Sequence, residues 1–310
     1  MEEYLPQSIF SVKACSKKPK DLRIITQCNN GPCPIIALLN CLIVQGRIEQ
    51  PSPSSVTAEE MMTQLGNFIL NQNIPDENKE LLLHAQSTSL EVCSSQQLLT
   101  GLDINLKYRA VDAFEYTPMI ELFDFLNIKL FHCWVPSRED DEYEELSKVS
   151  YNELVLLLFD AEKQKLKEWF TQTGSQATEY GIFEMKSKMK PGEVAILFRN
   201  NHFFVVTRQE DTIFSLITDQ GYLHSPDLVW EEVTVSCDGK NVNADFLSKE
   251  ELIEDDAKLA KQLQEKERER FNQNQQARVP RQAKAQKQRD RNAQKAPKNS
   301  KDKDSGCKIM

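Results

Sequence analysis

The chain has 310 residues, of which 40% are hydrophobic and 27% are charged, and its formal net charge is -9. That length allows one domain of about 250 residues with a large core, followed by a tail. No apolar stretch is long enough to span a bilayer, and the first six residues lack the basic and apolar regions of a secretory signal. We therefore expect a cytoplasmic protein.

The number of cysteines and the distribution of charge indicate the redox compartment and the class of binding partner. The eight cysteines are neither dense nor regularly paired, which favours free thiols in a reducing compartment. Residues 278–310 contain eleven basic and three acidic side chains, so residues 1–277 carry a net charge of -17. The acidic body argues against nucleic acid as the main partner. The basic tail, taken alone, is compatible with nucleic acid or with an anionic membrane.

The first predicted elements lead to an unusual cysteine. Short strands at residues 9–14 and 22–26 precede the polar loop 27–34, and an apolar helix is predicted from residue 35 to residue 44. Cys33 ends the loop, and the proline after it favours a helix start. A helix N-terminus stabilises a thiolate, so we predict a lowered pKa for Cys33 and a nucleophilic role.

Two other readings of this cysteine are open. Free cysteines are usually buried packing residues, and Cys41, inside the apolar helix, is most simply one of them. Packing does not require a Gly-Pro before Cys33 and a Pro after it, whereas exposing a thiolate does. Cys28 and Cys33 lack a second pair at ligand spacing, so a zinc site is improbable. We expect neither a metal nor a cofactor.

The middle of the chain alternates short helices and strands. The patterns predict a helix after a capping box at Thr57 and Glu60, a helix at 95–99, a strand at 105–111, a helix at 118–127, a buried strand at 128–135 and a solvated loop or helix start at 139–142. The apolar positions of these elements are interpreted as core.

The clearest β region begins after Pro191 and Gly192. Runs at residues 193–198, 202–207 and 212–218 predict a three-stranded meander. His202 is the first residue of the middle run, where a side chain can point from the rim of a sheet into a cleft. A histidine in an apolar strand is more often structural, and His132 is the nearest rival for a catalytic role.

A nucleophilic cysteine on an early helix with a histidine far downstream on a sheet is the arrangement of papain-like cysteine hydrolases. More narrowly, the chain resembles the MINDY family of deubiquitinases over residues 8–247. The segments that carry the resemblance are 27–34 with the helix that follows, 100–105, 114–118, 198–203, 218–222 and 229–231. The resemblance implies an α+β, papain-like fold with a buried helix carrying the nucleophile, packed on an antiparallel sheet carrying the histidine.

The resemblance also implies roles for individual residues. Cys33 becomes the nucleophile, His202 the general base and later acid, and Gln27 a donor to the oxyanion. Asp219, at the end of the next strand, is a candidate to orient the histidine, although an Asp there is often only a turn residue. Asp103 is an alternative candidate for the third site residue. It could stabilise the Cys33 loop through Asn30 instead of orienting the histidine.

The segment 248–271 is charged and helix-prone, and it resembles ubiquitin-interacting helices of the inverted type. Leu259 and Leu263 form an apolar stripe, Ala260 allows close approach, and Asp256 and Glu267 face basic groups of the partner. The alternative is a solvated charged helix.

Residues 272–310 are predicted to be disordered because large apolar residues almost vanish there. The chain ends Cys307-Lys308-Ile309-Met310, which matches a C-a-a-X prenylation signal at Cys307. One lipid with a basic segment is enough for peripheral attachment to an anionic membrane, although a terminal four-residue match can also be accidental.

The expected function is hydrolysis of isopeptide bonds in polyubiquitin by a monomer. The resemblance implies a preference for chains linked through ubiquitin's lysine forty-eight. The alternatives are a catalytically silent adaptor that recruits ubiquitin chains to a membrane, and an acyl or ubiquitin transferase that uses the same thiol.

Overall fold

A computed structural model describes residues 7–16, 21–28, 31–95 and 97–293, and the chain divides into two compact units, Met1–Lys249 and Glu250–Met310. The strands of the first unit are β1 (Ile9–Cys15), β2 (Leu22–Ile25), β3 (Ser55–Thr57), β4 (Leu130–Phe131), β5 (Val194–Arg199), β6 (His202–Gln209), β7 (Thr212–Leu216), β8 (Trp230–Glu232) and β9 (Asn241–Val242). Its α-helices are α1 (Cys33–Val44), α2 (Ala58–Leu70), α3 (Lys79–Ser94), α4 (Gln97–Thr100), α5 (Pro118–Phe125), α6 (Tyr143–Leu146), α7 (Tyr151–Leu157), α8 (Gln164–Gln172) and α9 (Glu179–Lys188).

The strands of the first unit form two sheets. The smaller has the order β2-β1-β3 and is antiparallel throughout. The larger has the order β4-β5-β6-β7-β8-β9, in which β4 lies parallel to β5 and all other neighbours are antiparallel. Strands β5, β6 and β7 are the predicted meander. Helices and sheets together confirm the α+β class.

Helix α1 is the centre of the hydrophobic core. All of its residues from Cys33 to Ile43 are buried. It packs against β2 of the small sheet and against β5 and β6 of the large one. A helix that is apolar on nearly all faces has no polar face that could be exposed to water. This explains why the two sheets enclose it.

Local signals set several element ends as predicted. Thr57 caps α2: its side chain accepts from the Glu60 N–H, and the Glu60 carboxylate accepts in return from the Thr57 N–H. Helix α5 begins at Pro118, and Thr117 caps its N-terminus as Thr57 caps that of α2. These caps are short-range effects, so they can be recognised in the sequence.

Two predicted strands are wrong in extent. The chain at residues 105–111 makes only isolated bridges, from Leu106 to Phe114 and from Lys107 to Ser150, because it folds back on itself at residues 109–113. Of residues 128–135, only Leu130 and Phe131 join the sheet, by pairing with β5. Both segments bury their apolar residues without forming a ladder, so burial alone did not identify a strand.

As far as residue 293, the last that the structure describes, the second unit is formed by one helix, α10 (Lys249–Ala293), whose first residue is the last of the first unit. The predicted helix at 248–271 therefore continues to Ala293, where the sequence predicted disorder from residue 272. The composition of this segment cannot build a core, but its Gln, Lys, Arg and Ala residues favour a helix. Over the described part of the chain, every helix is too short or too polar to serve as a membrane span.

His132, the rival histidine, lies in the core of the first unit. It is fully buried and contacts Phe114 edge to face, with 5.2 Å between the ring centroids. Neither ring nitrogen has a hydrogen-bond partner of ordinary geometry. Burial lowers the pKa of His132 to about 4, although the nearby carbonyls of Lys107, Ala110 and Ala113 oppose this shift.

This buried imidazole predicts a loss of stability in mild acid. Because the pKa of His132 is lower in the folded protein than in the unfolded chain, unfolding takes up a proton between about pH 6.5 and pH 4. Its stabilising contribution is complete above that window and falls by up to about 1.4 kcal/mol per pH unit within it. Urea unfolding at pH 6.5 and pH 5 measures the slope of the free energy of unfolding against pH.

The variant His132→Phe should reduce the slope, and His84→Asn, which changes an exposed histidine, should keep it. An unchanged slope in His132→Phe would show that other groups cause the acid sensitivity.

Candidate active site

One cavity of 760 Å³ brings together residues from distant parts of the first unit. Gln27, Cys33, His202 and Asp219 all line it, together with Thr100 and Gly101 from the end of α4. Cys33 and His202 are far apart in the sequence, and the packing of α1 on β6 brings them to the same cavity. The structure thus brings together the predicted nucleophile, base and oxyanion donor.

Cys33 is the first residue of α1, and the residue before it, Pro32, has φ -72° and ψ 71°. These angles describe an inverse γ-turn, in which the Cys33 N–H donates to the Gly31 carbonyl at 2.7 Å. The Cys33 backbone N–H, which lies at the same helix terminus as the sulfur, is therefore already paired in this structure. The Gly31 carbonyl has to turn away before that donor is free.

The pKa of the Cys33 thiol is shifted in the direction opposite to the prediction. Burial raises the pKa of Cys33, and the opposing effects of the Phe203 N–H and of its own backbone N–H are smaller. The prediction of a lowered pKa is wrong because it considered the helix terminus and not the desolvation of a side chain that is only 8% exposed. The Phe203 N–H nevertheless places the sulfur beside the peptide that follows His202.

His202 is presented by a tight hairpin. Asn200 and Asn201 both have positive φ, 53° and 57°, as a two-residue type I′ turn requires, and the pairing of Arg199 with His202 closes it. The His202 ring packs edge to face on Phe204, with 4.4 Å between centroids. Burial lowers the pKa of His202, whereas it raises that of Cys33, so desolvation favours the uncharged form of both groups.

Gln27 is held between the two sheets by its backbone. Its N–H donates to the Thr218 carbonyl at 2.7 Å, and its carbonyl accepts from the Gln220 N–H at 2.9 Å. The side chain then lies with Nε2 3.5 Å from His202 Nδ1. Gly31 leaves room for it, since a Cβ at position 31 would lie 2.9 Å from Gln27 Cγ and 3.0 Å from the Cys28 carbonyl oxygen.

Asp219 lines the cavity but has a local partner. Its Oδ1 accepts from the Gly221 N–H at 2.6 Å, the geometry of a turn-forming Asp. Within the described ranges, no hydrogen bond joins Asp219 to His202. The role of Asp219 in orienting the histidine stays a prediction, and the turn role is the one that the hydrogen bond supports.

The remaining predicted residues lie elsewhere. Asp103 lines a separate cavity of 110 Å³ with Asn201 and Phe198, and Asn30 lies outside the described residues. On α10, Leu259 and Leu263 are each 54% exposed, and Ala260 and Glu267 are exposed too. The Asp256 side chain and Cys307 are not among the described parts of the chain.

Sequence reasoning missed several residues of the cavity wall. Thr218, Tyr222 and Glu231 all line it. Burial raises the pKa of Glu231, and the nearby Arg199 guanidinium opposes the shift. Both 218–222 and 229–231 were recognised as motifs, which was the available signal, but nothing local showed that they face Cys33. Among the described residues, no three His, Cys, Asp or Glu side chains are grouped to hold a metal ion.

Comparison with known proteins identifies the family to which the region around this cavity belongs. The family model for MINDY deubiquitinases matches residues 8–246. The chain belongs to the MINDY deubiquitinase family. Human ubiquitin carboxyl-terminal hydrolase MINDY-2 is 34% identical over 260 residues, which is 79% of this chain and 42% of the relative. Human MINDY-1 is 32% identical over 269 residues, which is 79% of this chain and 57% of the relative.

The match covers the cavity and stops short of the second helical unit. All residues that line the cavity with Cys33 lie within the MINDY region 8–246, whereas α10 begins at Lys249. The chain spans about half the length of the MINDY relatives that it matches. The family therefore accounts for the first unit, and the second has to be considered separately.

The close approach of Gly31 to Gln27 gives a test of this MINDY site. We expect Gly31→Ala to lower kcat on ubiquitin chains by about 10- to 100-fold, because the added methyl group displaces the Gln27 side chain or the cysteine loop. Steady-state cleavage kinetics and thermal unfolding measure activity and stability separately.

The matched control is Gly66→Ala on α2, where the new Cβ meets only Cys93 Sγ at 3.8 Å. This control should keep its activity and gain roughly 0.5–1 kcal/mol of stability, since Ala is the better helix former. Full activity in Gly31→Ala would show that the contact has no effect on the site.

Proposed function

We propose that the protein is a cysteine-dependent hydrolase that cleaves isopeptide bonds in polyubiquitin. The observation that carries this proposal is the convergence of Cys33, His202 and Gln27 on one cavity inside the region that matches the MINDY family. The names of the relatives, ubiquitin carboxyl-terminal hydrolases, support the same reaction class.

The proposed mechanism is papain-like and starts from neutral groups. His202 removes the proton from Cys33 as the sulfur attacks the isopeptide carbonyl carbon, so the charge separates only when substrate is bound. The carbonyl oxygen becomes an oxyanion, for which Gln27 Nε2 is one donor. The Cys33 N–H is the second once the Gly31 carbonyl has turned away.

The collapse of this intermediate breaks the C–N bond. The protonated His202 donates its proton to the departing lysine amine, which leaves a thioester between Cys33 and the ubiquitin C-terminus. His202 then removes a proton from water, which attacks the thioester carbonyl. Collapse of this second intermediate breaks the C–S bond, and the protonated His202 returns its proton to the departing Cys33 sulfur. Ubiquitin leaves with a C-terminal carboxyl group that loses its proton to water, and the resting site is restored.

The proposal includes linkage preference. The preference proposed is for chains joined through lysine forty-eight of ubiquitin, and its support is the resemblance to the MINDY family alone. The substrate class, polyubiquitin or ubiquitinated protein, needs no cofactor for this chemistry, and a single copy of the chain contains all three proposed catalytic groups.

The deciding experiment incubates the full chain with tetraubiquitin of defined linkages. We expect cleavage of the chain linked through lysine forty-eight and complete loss of cleavage in Cys33→Ala, because the proposed thioester forms on the Cys33 sulfur at the start of α1 and not on Cys28, the other thiol that lines the cavity. The variant Cys237→Ser, which changes an exposed thiol, is the matched control and should cleave normally.

Other outcomes would favour the alternatives. Binding of chains by the wild type without cleavage would support the adaptor. Products that form only when an amine is added would indicate a transferase. Equal cleavage of all linkages would contradict the linkage preference and leave the hydrolase intact.

We also propose that α10 binds ubiquitin through the face containing Leu259 and Leu263. These two leucines lie one turn apart on a helix otherwise rich in charge and are both more than half exposed, so they offer an apolar stripe to a partner. The small Ala260 beside them permits close approach of an apolar surface.

We expect the double variant Leu259→Ala/Leu263→Ala to weaken binding of monoubiquitin at least about tenfold, because it removes most of the apolar contact. Titration of labelled ubiquitin by fluorescence anisotropy measures the effect. Lys261→Ala, on the opposite side of the helix, is the control and should bind normally. Unchanged binding in the double variant would show that α10 is only a solvated helix.

Finally, we propose that Cys307 is prenylated and that the basic tail assists peripheral attachment of a cytoplasmic protein to anionic membranes. The support is the terminal C-a-a-X sequence after a basic segment. Mass spectrometry of the C-terminal peptide from cells should show the lipid on the wild type and not on Cys307→Ser. An intact, unmodified terminus in the wild type would overturn this proposal.

A further inference from the structure

Helix α1 contains one buried amide among apolar neighbours. Asn40 is fully buried, and every other residue of α1 from Ile35 to Ile43 is apolar. An amide in such a place is costly unless its oxygen and its nitrogen are both hydrogen-bonded. The partners of Asn40 therefore show what the amide is for.

Both partners belong to the backbone of one residue, Ile25. The Ile25 N–H donates to Asn40 Oδ1 at 2.9 Å, and Asn40 Nδ2 donates to the Ile25 carbonyl at 2.8 Å. Strand β2 is the edge of its sheet, so these two backbone groups have no neighbouring strand to pair with. The Asn40 side chain takes the place of that strand and attaches the edge of β2 to α1.

This attachment connects the elements that carry two of the proposed catalytic groups. Ile25 is two residues before Gln27, and Asn40 is seven residues, or about two helical turns, after Cys33. Beyond Ile25, the backbone bonds of Gln27 to Thr218 and Gln220 hold the chain that continues from β2. Both ends of the loop that separates Gln27 from Cys33 are thus anchored.

We propose that Asn40 is a positioning residue that sets the distance between the oxyanion donor Gln27 and the nucleophile Cys33. This inference rests on the proposed hydrolase function. Asn40 touches neither substrate nor the reacting atoms: it acts through Ile25 and the strand that continues to Gln27. An Asn is suited to the task because it offers one donor and one acceptor on a short side chain.

The test uses Asn40→Leu in the full chain, a change that keeps the branching at Cγ, enlarges the side chain and removes both hydrogen bonds. We expect kcat on tetraubiquitin to fall by about 10- to 100-fold with little change in KM, because misplacing a transition-state donor affects the chemical step more than binding. In a Gln27→Ala background the same substitution should have less than a twofold effect, since the residue that Asn40 positions is already absent.

A stability control separates positioning from general damage. Leu65→Ala on α2 also weakens the buried core, but Leu65 is remote in sequence from β2 and from the cysteine loop. It should lower the melting temperature and keep kcat within about twofold below the transition. If Asn40→Leu does not fold, Asn40→Asp replaces it: its oxygen still accepts from Ile25 N–H, and kcat should lie between those of the wild type and Gln27→Ala.

Hydrogen exchange supplies a readout that does not depend on catalysis. Loss of the attachment should speed exchange of the amides at residues 25–27 in Asn40→Leu and leave those of β6 unchanged. Unchanged exchange there, unchanged kcat, or a full additional loss in the Gln27→Ala background would each overturn the proposal. Failure of the wild type to cleave any chain would instead overturn the proposed function, and the exchange rates would still decide whether Asn40 holds the strand.

Discussion

The enclosure of helix α1 is the constraint on which the site depends. Since the helix is buried from Cys33 to Ile43, its first residue can reach a substrate only where the surrounding strands end. The end of β2 supplies Gln27, the start of β6 supplies His202, and the segment after β7 closes the cavity with Thr218 and Asp219. The segments from β2 and β6 meet at one helix terminus because both strands pack on α1, and the segment after β7 joins them through its backbone hydrogen bonds to Gln27.

Features governed by near neighbours in the sequence were predictable. The loop before Cys33 contains Gly31 and Pro32 and is followed by Pro34, and the helix starts there. The Asn200-Asn201 pair forms the tight turn that puts His202 at the beginning of its strand. The joint presence of these motifs allowed the family to be recognised before the fold was known.

Features governed by distant partners were not predictable. The segment at 105–111 has strand-like alternation, but the chain there folds back on itself. The segment at 128–135 has the composition of a buried strand, but only two of its residues pair with β5. The pKa of Cys33 depends on how much water the folded protein removes, which the helix start does not reveal. Asn40 gave no signal either, because its partner Ile25 lies on a strand that becomes an edge only in the folded sheet.

Burial of the Cys33 sulfur has a consequence for its reaction with oxidants. Hydrogen peroxide oxidises thiolates much faster than thiols, and burial raises the pKa of Cys33, which favours the thiol. We therefore expect the protein without substrate to form sulfenic acid at Cys33 more slowly than a protein with an exposed cysteine does. In the proposed mechanism the sulfur ionises once a substrate is bound, which is when an oxidant would meet the thiolate.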